Sequence, residues 1–238
     1  MLDPKGRVVM LSGANRGIGL ALAKALLEKG YSLSLGIRRP EAMAGLLPEA
    51  SPPQRLTTHL YDATDADAPG RWVAETLEQH GHIDALINNA GIYRGVRLID
   101  DDETALDELW EVNVKGPLRM IRAAWPQLQT AGSGRVINLA SLSGKRIAGD
   151  AVGYSMSKFA VVALTHQLRR DGWESGIRAT AICPSFVRSD MAEGITSVPP
   201  ETMTQPEDLA ELVATILALP NTASVAELTI NWNYEIHH

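Results

Sequence analysis

Short continuous apolar runs alternate with amphipathic stretches along the whole chain. Residues 7–12 (RVVMLS), 31–37, 55–60, 83–88, 135–140, 177–183 and 226–230 read as strands. Between them, residues 17–29 set Leu20, Ala23, Leu26 and Leu27 at helical spacing, and Gly30 follows as a C-terminal cap that tolerates the left-handed conformation. Residues 65–80, 103–128, 154–170 and 206–219 are the other expected helices. The stretch 103–128 has its acids near the start, where they complement the helix dipole, and 206–219 opens on a proline at the first turn. Strands that are apolar on both faces, alternating with helices, mark a parallel sheet covered on both sides. Such sheets bind ligands beyond the carboxyl ends of their strands, where the strand order reverses. Functional residues are therefore expected just after strands. The proline-containing stretch 189–205 is the longest irregular segment and is expected to act as a lid over about 188–204.

Composition narrows the picture. The 238 residues are 45% apolar and 21% charged, with net charge −6, which places the chain among globular proteins. No linker-like shift divides it, so one domain over 1–238 is expected. The lone cysteine, Cys183, excludes an intrachain disulfide and a cysteine-based zinc site, and is expected as a buried inert thiol. The six histidines form no metal-ligand pattern, and Asp100, Asp101, Asp102 and Glu103 read as a solvated helix start. A pI near 5.5 argues against nucleic-acid binding. No apolar run reaches the length of a membrane span, and the first residues lack the apolar stretch of a secretory signal. A cytoplasmic protein without membrane contact is the expectation.

The first strand runs straight into Ser12-Gly13-Ala14-Asn15-Arg16-Gly17-Ile18-Gly19 and then a helix. Glycines at such a turn let backbone approach a pyrophosphate, whose charge the helix N-terminus favours. Without a ligand the same glycines would make only a sharp turn. An acid at the end of the second strand would hold the ribose hydroxyls of NAD, whereas arginine accommodates the extra phosphate of NADP. Here Arg38 and Arg39 stand at that point, and Arg16 can approach it, so the three are expected to converge on one phosphate of NADP(H). Asp62, after the third strand, is read either as an acceptor for the adenine amino group or as a turn residue. Tyr154 and Lys158 share one helix face, and an ammonium beside a phenol favours the phenolate and lowers its pKa. Ser141 lies just past a strand end, where a substrate carbonyl would sit. Asn113, between Val112 and Val114, is either a packed residue or part of a polar site.

With Gly13, Gly17 and Gly19, Asp62, Asn88-Asn89-Ala90-Gly91, Asn113, Ser141, Tyr154 with Lys158, and Pro184 in this order, the chain resembles the one-domain short-chain dehydrogenase/reductase family. The resemblance implies a Rossmann-type doubly wound α/β sheet of seven parallel strands in the order 3-2-1-4-5-6-7. It implies that Tyr154 gives or takes the proton of the reacting oxygen, that Lys158 lowers its pKa and bonds the nicotinamide ribose, and that Ser141 polarises the carbonyl. Asn113 would hold a water that joins Lys158 to solvent. The cofactor residues implied are Gly13, Asn15, Arg16, Gly17, Ile18, Gly19, Arg38, Arg39, Asp62, Ala63, Asn88, Ala90, Gly91, Tyr154, Lys158, Pro184, Val187 and Ser189, with Asn89 stabilising the sheet. No catalytic metal is needed. A homodimer or homotetramer is implied, built on helices 103–128 and 154–170. The reaction implied is interconversion of an alcohol with a ketone or aldehyde by direct hydride transfer with NADP(H).

Several residues depart from the family. Pro184-Ser185 stands where Pro-Gly is usual, Ser189 replaces a threonine, and the Gly-Gly ending of many members is missing. Arg94, Arg97, Lys145 and Arg146 on the loops 92–98 and 142–153 suggest a polar or carboxylate-bearing substrate. His237 and His238 are read as native or as remnants of a purification tag. The alternatives are a non-catalytic dinucleotide sensor or scaffold, an NAD(H)-preferring member acting on a small hydroxy acid, and an epimerase or dehydratase.

Overall fold

The structure is a computed structural model that describes residues 1–48, 53–147, 149–193 and 197–234. His237 and His238, residue 148 of the second loop and residues 194–196 of the expected lid lie outside the described residues.

Seven parallel strands form one sheet: β1 (Val8–Ser12), β2 (Ser32–Ile37), β3 (Leu56–Leu60), β4 (Ala85–Asn88), β5 (Arg135–Leu139), β6 (Arg178–Pro184) and β7 (Glu227–Ile230). Their spatial order is β3-β2-β1-β4-β5-β6-β7, as the family resemblance implies. The helices are α1 (Gly17–Lys29), α2 (Ala68–His80), α3 (Thr104–Leu109), α4 (Gly116–Thr130), α5 (Val152–Gly172) and α6 (Pro206–Ala218).

The period-2 alternation of strand side chains divides each buried strand between two cores. Val9 and Leu11 of β1, Ala85 and Ile87 of β4, and Ile137 and Leu139 of β5 pack with α1 and α6 on one face. Met10, Leu86 and Val136 pack with α2 and α4 on the other, where Leu168 of α5 joins them. Both faces being dry explains why these strands read as unbroken apolar runs. The strand order reverses between β1 and β4, so the carboxyl ends Ser12 and Asn88 border the crevice where ligands bind in such sheets.

Two expected helices differ in detail. The stretch 65–80 becomes helical only at Ala68. Asp65 makes a turn instead, its Oδ1 accepting from the Asp67 N–H at 2.9 Å, and Pro69 then sets the first helical turn. The stretch 103–128 is not one α-helix. α3 passes into a wider π turn at Trp110–Lys115 before α4 begins. Pro117 has no N–H, so the carbonyl four residues earlier, that of Asn113, has no α-helical donor. Local widening of this kind is frequent at functional sites. Asp102 starts α3 by accepting from the Thr104 N–H at 2.9 Å, which makes part of the acidic run a turn-former as well as a solvated surface.

Candidate active site

The glycine turn is locked to the end of β4. The Ser12 hydroxyl accepts from the N–H groups of Asn89 and Ala90 at 3.1 and 3.0 Å, and the Asn89 amide donates to the carbonyls of Ser12 and Gly13, both at 3.0 Å. Gly13 adopts φ +70° and Gly17 φ +49°, conformations that side chains rarely take. A Cβ on Gly19 would collide with the Gly13 carbonyl, so the helix can press against the turn only because that residue is glycine. The first turn of α1 carries no acid and no side-chain cap, which leaves its N–H groups open to an anion. Asn15 and Ile18 are half-buried in this turn. These features fit a dinucleotide pyrophosphate.

The expected convergence of arginines takes a different form. Arg38 and Arg39 lie exposed just past β2. Arg16 instead reaches across to the lid and pairs with Asp190 at 3.2 Å. Ser189 also packs on the turn, its Cβ 3.2 Å from where a Cβ of Gly17 would be. Asp62 is a turn residue here, its Oδ1 accepting from the Thr64 N–H at 2.9 Å and the Thr64 hydroxyl at 2.8 Å. Ala63 is buried, and its carbonyl accepts from Arg119 at 3.3 Å.

Of the Asn-Asn-Ala-Gly segment, Asn88 turns its side chain into the sheet, donating to Asn138 at 2.8 Å, while Asn138 donates to Thr165 of α5 at 2.8 Å. Only its backbone can face the cleft. Ala90 and Gly91 follow at the cleft edge, and a Cβ on Gly91 would stand 3.2 Å from Asn113 Oδ1 and 3.7 Å from Lys158 Nζ. Pro184 ends β6. Beyond it, the Ser185 N–H donates to Ile230 at 2.8 Å, and Val187 bridges to Thr204, which folds the start of the lid back on itself.

Tyr154 and Lys158 rise from the first turns of α5 and face the end of β5. Lys158 is buried, with its Nζ 5.6 Å from the centre of the Tyr154 ring and donating to the Leu139 carbonyl at 2.8 Å. Ser141 opens a short turn, its hydroxyl accepting from the Ser143 N–H at 3.1 Å, and it hydrogen-bonds the phenol of Tyr154. Burial pushes the Tyr154 phenol up to about 12, against a lowering by the Ser141 hydrogen bond. Burial also pulls the Lys158 ammonium down to about 8. The expected lowering of the phenol by the lysine is therefore not what this geometry does. Desolvation dominates both groups, and the ammonium is directed at the Leu139 carbonyl and not at the phenol.

Asn113 is 1% exposed and its amide is fully engaged. It accepts from the Ile92 N–H at 2.9 Å and donates to the Ile92 carbonyl at 2.9 Å and to Ser157 at 3.1 Å. With the side chain engaged, the water that the resemblance implies falls to the backbone carbonyl, which Pro117 leaves without an α-helical donor. Ser157 passes the contact on, donating to the Tyr154 carbonyl at 2.7 Å.

Sequence reasoning missed Ser12, Ser157 and Tyr93. Ser12 had a signal, being the polar last residue of an apolar strand; the other two depend on tertiary contacts. Tyr93 lays its ring edge-on against Tyr154, centroids 5.1 Å apart. The loop bases expected to meet a carboxylate substrate are mostly paired within the chain: Arg94 with Glu108 at 2.8 Å, Arg97 with Asp100 at 3.0 Å and Lys145 with Glu227 at 2.6 Å. Cys183 is buried, and burial pushes its thiol up to about 11, as an inert thiol requires. Among the described residues no group of three or more His, Cys, Asp or Glu side chains could hold a metal, and no helix is long and apolar enough to cross a membrane.

Comparison with known proteins agrees with this arrangement. The chain is 41% identical over 221 residues to an agropine synthesis reductase of Rhizobium rhizogenes, a match covering 92% of this chain and 50% of that protein. It thus spans about half the length of that relative. It is 30% identical over 232 residues to an uncharacterised oxidoreductase of Staphylococcus haemolyticus, covering 97% and 99% of the two chains. Among solved structures, the alcohol dehydrogenase of the archaeon Thermococcus sibiricus, complexed with 5-hydroxy-NADP, superposes with a TM-score of 0.86 at 27% identity over 98% of this chain and 99% of that one. The model of the short chain dehydrogenase family matches residues 7–199, and the chain belongs to that family of oxidoreductases.

Proposed function

We propose that the chain is an NADP(H)-dependent reductase that interconverts a ketone or aldehyde with its alcohol, residues 1–238 forming one catalytic domain. The observation that carries this reading is the meeting of the Tyr154 phenol, the Ser141 hydroxyl and the buried Lys158 ammonium beside Gly91. A reduced nicotinamide held in this cleft would supply the hydride for the carbonyl carbon. Ser141 donates to the carbonyl oxygen and polarises it. Tyr154, whose phenol stays protonated at neutral pH, gives its proton to that oxygen as the alcohol forms. Lys158 stabilises the phenolate left behind, and the freed Asn113 carbonyl offers a place for water to return the proton. A phenol protonated at neutral pH is in the form that reduction requires, and the name of the Rhizobium relative is in keeping with that direction.

Gly13, Asn15, Gly17, Ile18, Gly19, Ala63, Ala90, Gly91, Pro184, Val187 and Ser189, with the backbone of Asn88, would hold the dinucleotide. Arg38 and Arg39 would meet the extra phosphate of NADP, joined by Arg16 once it leaves Asp190. The complex of the Thermococcus relative with an NADP derivative supports this choice. Trp110, Met156 and Phe159 are exposed on the π turn and α5, which supports a homodimer or homotetramer through these helices. A cytoplasmic location remains part of the proposal.

The test is a carbonyl screen that follows nicotinamide absorbance with NADPH and with NADH. Turnover lost in Tyr154→Phe, with cofactor binding kept, supports the reading. Turnover unchanged in that variant would overturn it.

A further inference from the structure

The proposed reaction leaves the substrate open, and the loops around Tyr154 narrow it. Tyr93, in the loop after β4, is 49% exposed and stands edge-on to the Tyr154 ring at an interplanar angle of 64°. Its place is firmly set. The residue before it, Ile92, is bonded at both N–H and carbonyl to the buried Asn113. The residue after it, Arg94, donates to the Tyr93 carbonyl at 2.9 Å and to Glu108 at 2.8 Å. An aromatic wall is thus held beside the reacting phenol before any substrate arrives.

Three of the bases on the same loops are already paired. Arg94, Arg97 and Lys145 each hold an acid partner on this chain. Besides exposed charges such as Arg188, the loops expose large apolar side chains: Leu98 and Ile99 further along the loop of Tyr93, Ile147 after Ser141, and Met191 beyond β6. Single exposed apolar side chains are ordinary, but large ones on all three loops that follow the strand ends at one site mark a surface for an apolar ligand. We propose that Tyr93 is a substrate-positioning residue and that the site takes an uncharged ketone or aldehyde with an aromatic or branched apolar body, in preference to a keto acid. The inference rests on the reductase reading.

Steady-state kinetics with NADPH on two matched series test it: methyl ketones with a growing alkyl or aryl body, and the same compounds ending in a carboxylate. KM is expected to fall along the first series, by up to about fourfold for each methylene that becomes buried. The carboxylates are expected to be poorer by about tenfold or more in kcat/KM, since burying an unpaired charge is costly. Tyr93→Ala should raise KM for the aryl ketones by about tenfold while kcat changes far less, and Tyr93→Phe should restore it. A preference for the carboxylates that disappears in Arg188→Ala would overturn the proposal, because the cation of the third loop would then select the substrate. An unchanged KM in Tyr93→Ala would overturn it too. If folded protein that binds NADPH reduces neither series, the reductase reading fails and the inference falls with it; reduction indifferent to the apolar body sinks the inference alone.

Discussion

Lys158 Nζ stands 5.6 Å from the centre of the Tyr154 ring but donates to the Leu139 carbonyl at 2.8 Å. The lysine therefore acts on the tyrosine through space. With the phenol pushed up to about 12 and the ammonium pulled down to about 8, both groups carry their protons at neutral pH. That state is prepared to give a proton from Tyr154 and to stabilise the anion that results. Tyr154→Phe keeps the ring and removes the acid. It should lower kcat/KM for carbonyl reduction by about 10²–10⁴-fold. Fluorescence titration should show NADPH binding changed far less.

The position of Lys158 also sets a pH dependence. Reduction should proceed at its full rate below about pH 8 and decline above it as the ammonium is lost, while Tyr154 stays protonated throughout that range. Lys158→Met should abolish that limb along with most of the rate. The same group shapes stability. Its folded pKa of about 8 lies below its ordinary 10.5, so between those values the unfolded chain binds the extra proton. Stability contributed by this group is lowest below pH 8 and grows as pH rises through that window. The difference in urea midpoint between wild type and Lys158→Met should follow this slope; a difference that is flat from pH 7.5 to 10 would exclude it.

The strands and the order of motifs were legible because each depends on local pattern. A strand such as β1 buries both faces, so its apolar run announces it, and Tyr154 and Lys158 share a face by helical spacing alone. What was not legible depends on partners distant in sequence. Arg16 was expected to approach a phosphate, and its pairing with Asp190, 174 residues away, left no mark in the sequence. Lys145 was expected to face substrate, but Glu227 on β7 neutralises it. Charge pairs of this kind follow from the folded arrangement of loops and leave no periodic trace. The π turn at Asn113 is an intermediate case. Pro117 signalled a missing donor four residues earlier, but apolar periodicity carried the expected helix straight through it.

The Arg16–Asp190 pair makes a prediction about cofactor choice. Its side chains are 64% and 43% exposed, so the pair is worth about 1 kcal/mol or less. Asp190→Asn releases the guanidinium for a phosphate. NADPH should then bind up to about fivefold more tightly, with NADH nearly unchanged. Arg38→Asp should act in the opposite sense, weakening NADPH by about tenfold or more through lost pairing and new repulsion, and moving preference toward NADH. Parallel titrations of both cofactors check each variant. An unaltered protein that prefers NADH would overturn the assignment of these arginines.

Asn113 joins fold and site through three hydrogen bonds from a 1% exposed amide. Asn113→Ala leaves the N–H and carbonyl of Ile92 without their partners, at about 1–3 kcal/mol for each group that water cannot reach. The urea midpoint should fall at constant m-value. Asn113→Asp keeps the acceptor for the Ile92 N–H but sets a carboxylate oxygen against the Ile92 carbonyl, so it should be no milder. Because Ile92 precedes Tyr93, the loosened loop should also raise KM for apolar ketones in both variants. Measured beside Tyr93→Ala, the Asn113→Ala effect on KM should be less than additive, since the amide acts on substrate by holding the segment that carries Tyr93. Full additivity would show that the Asn113 side chain acts on KM by a route other than the segment that carries Tyr93.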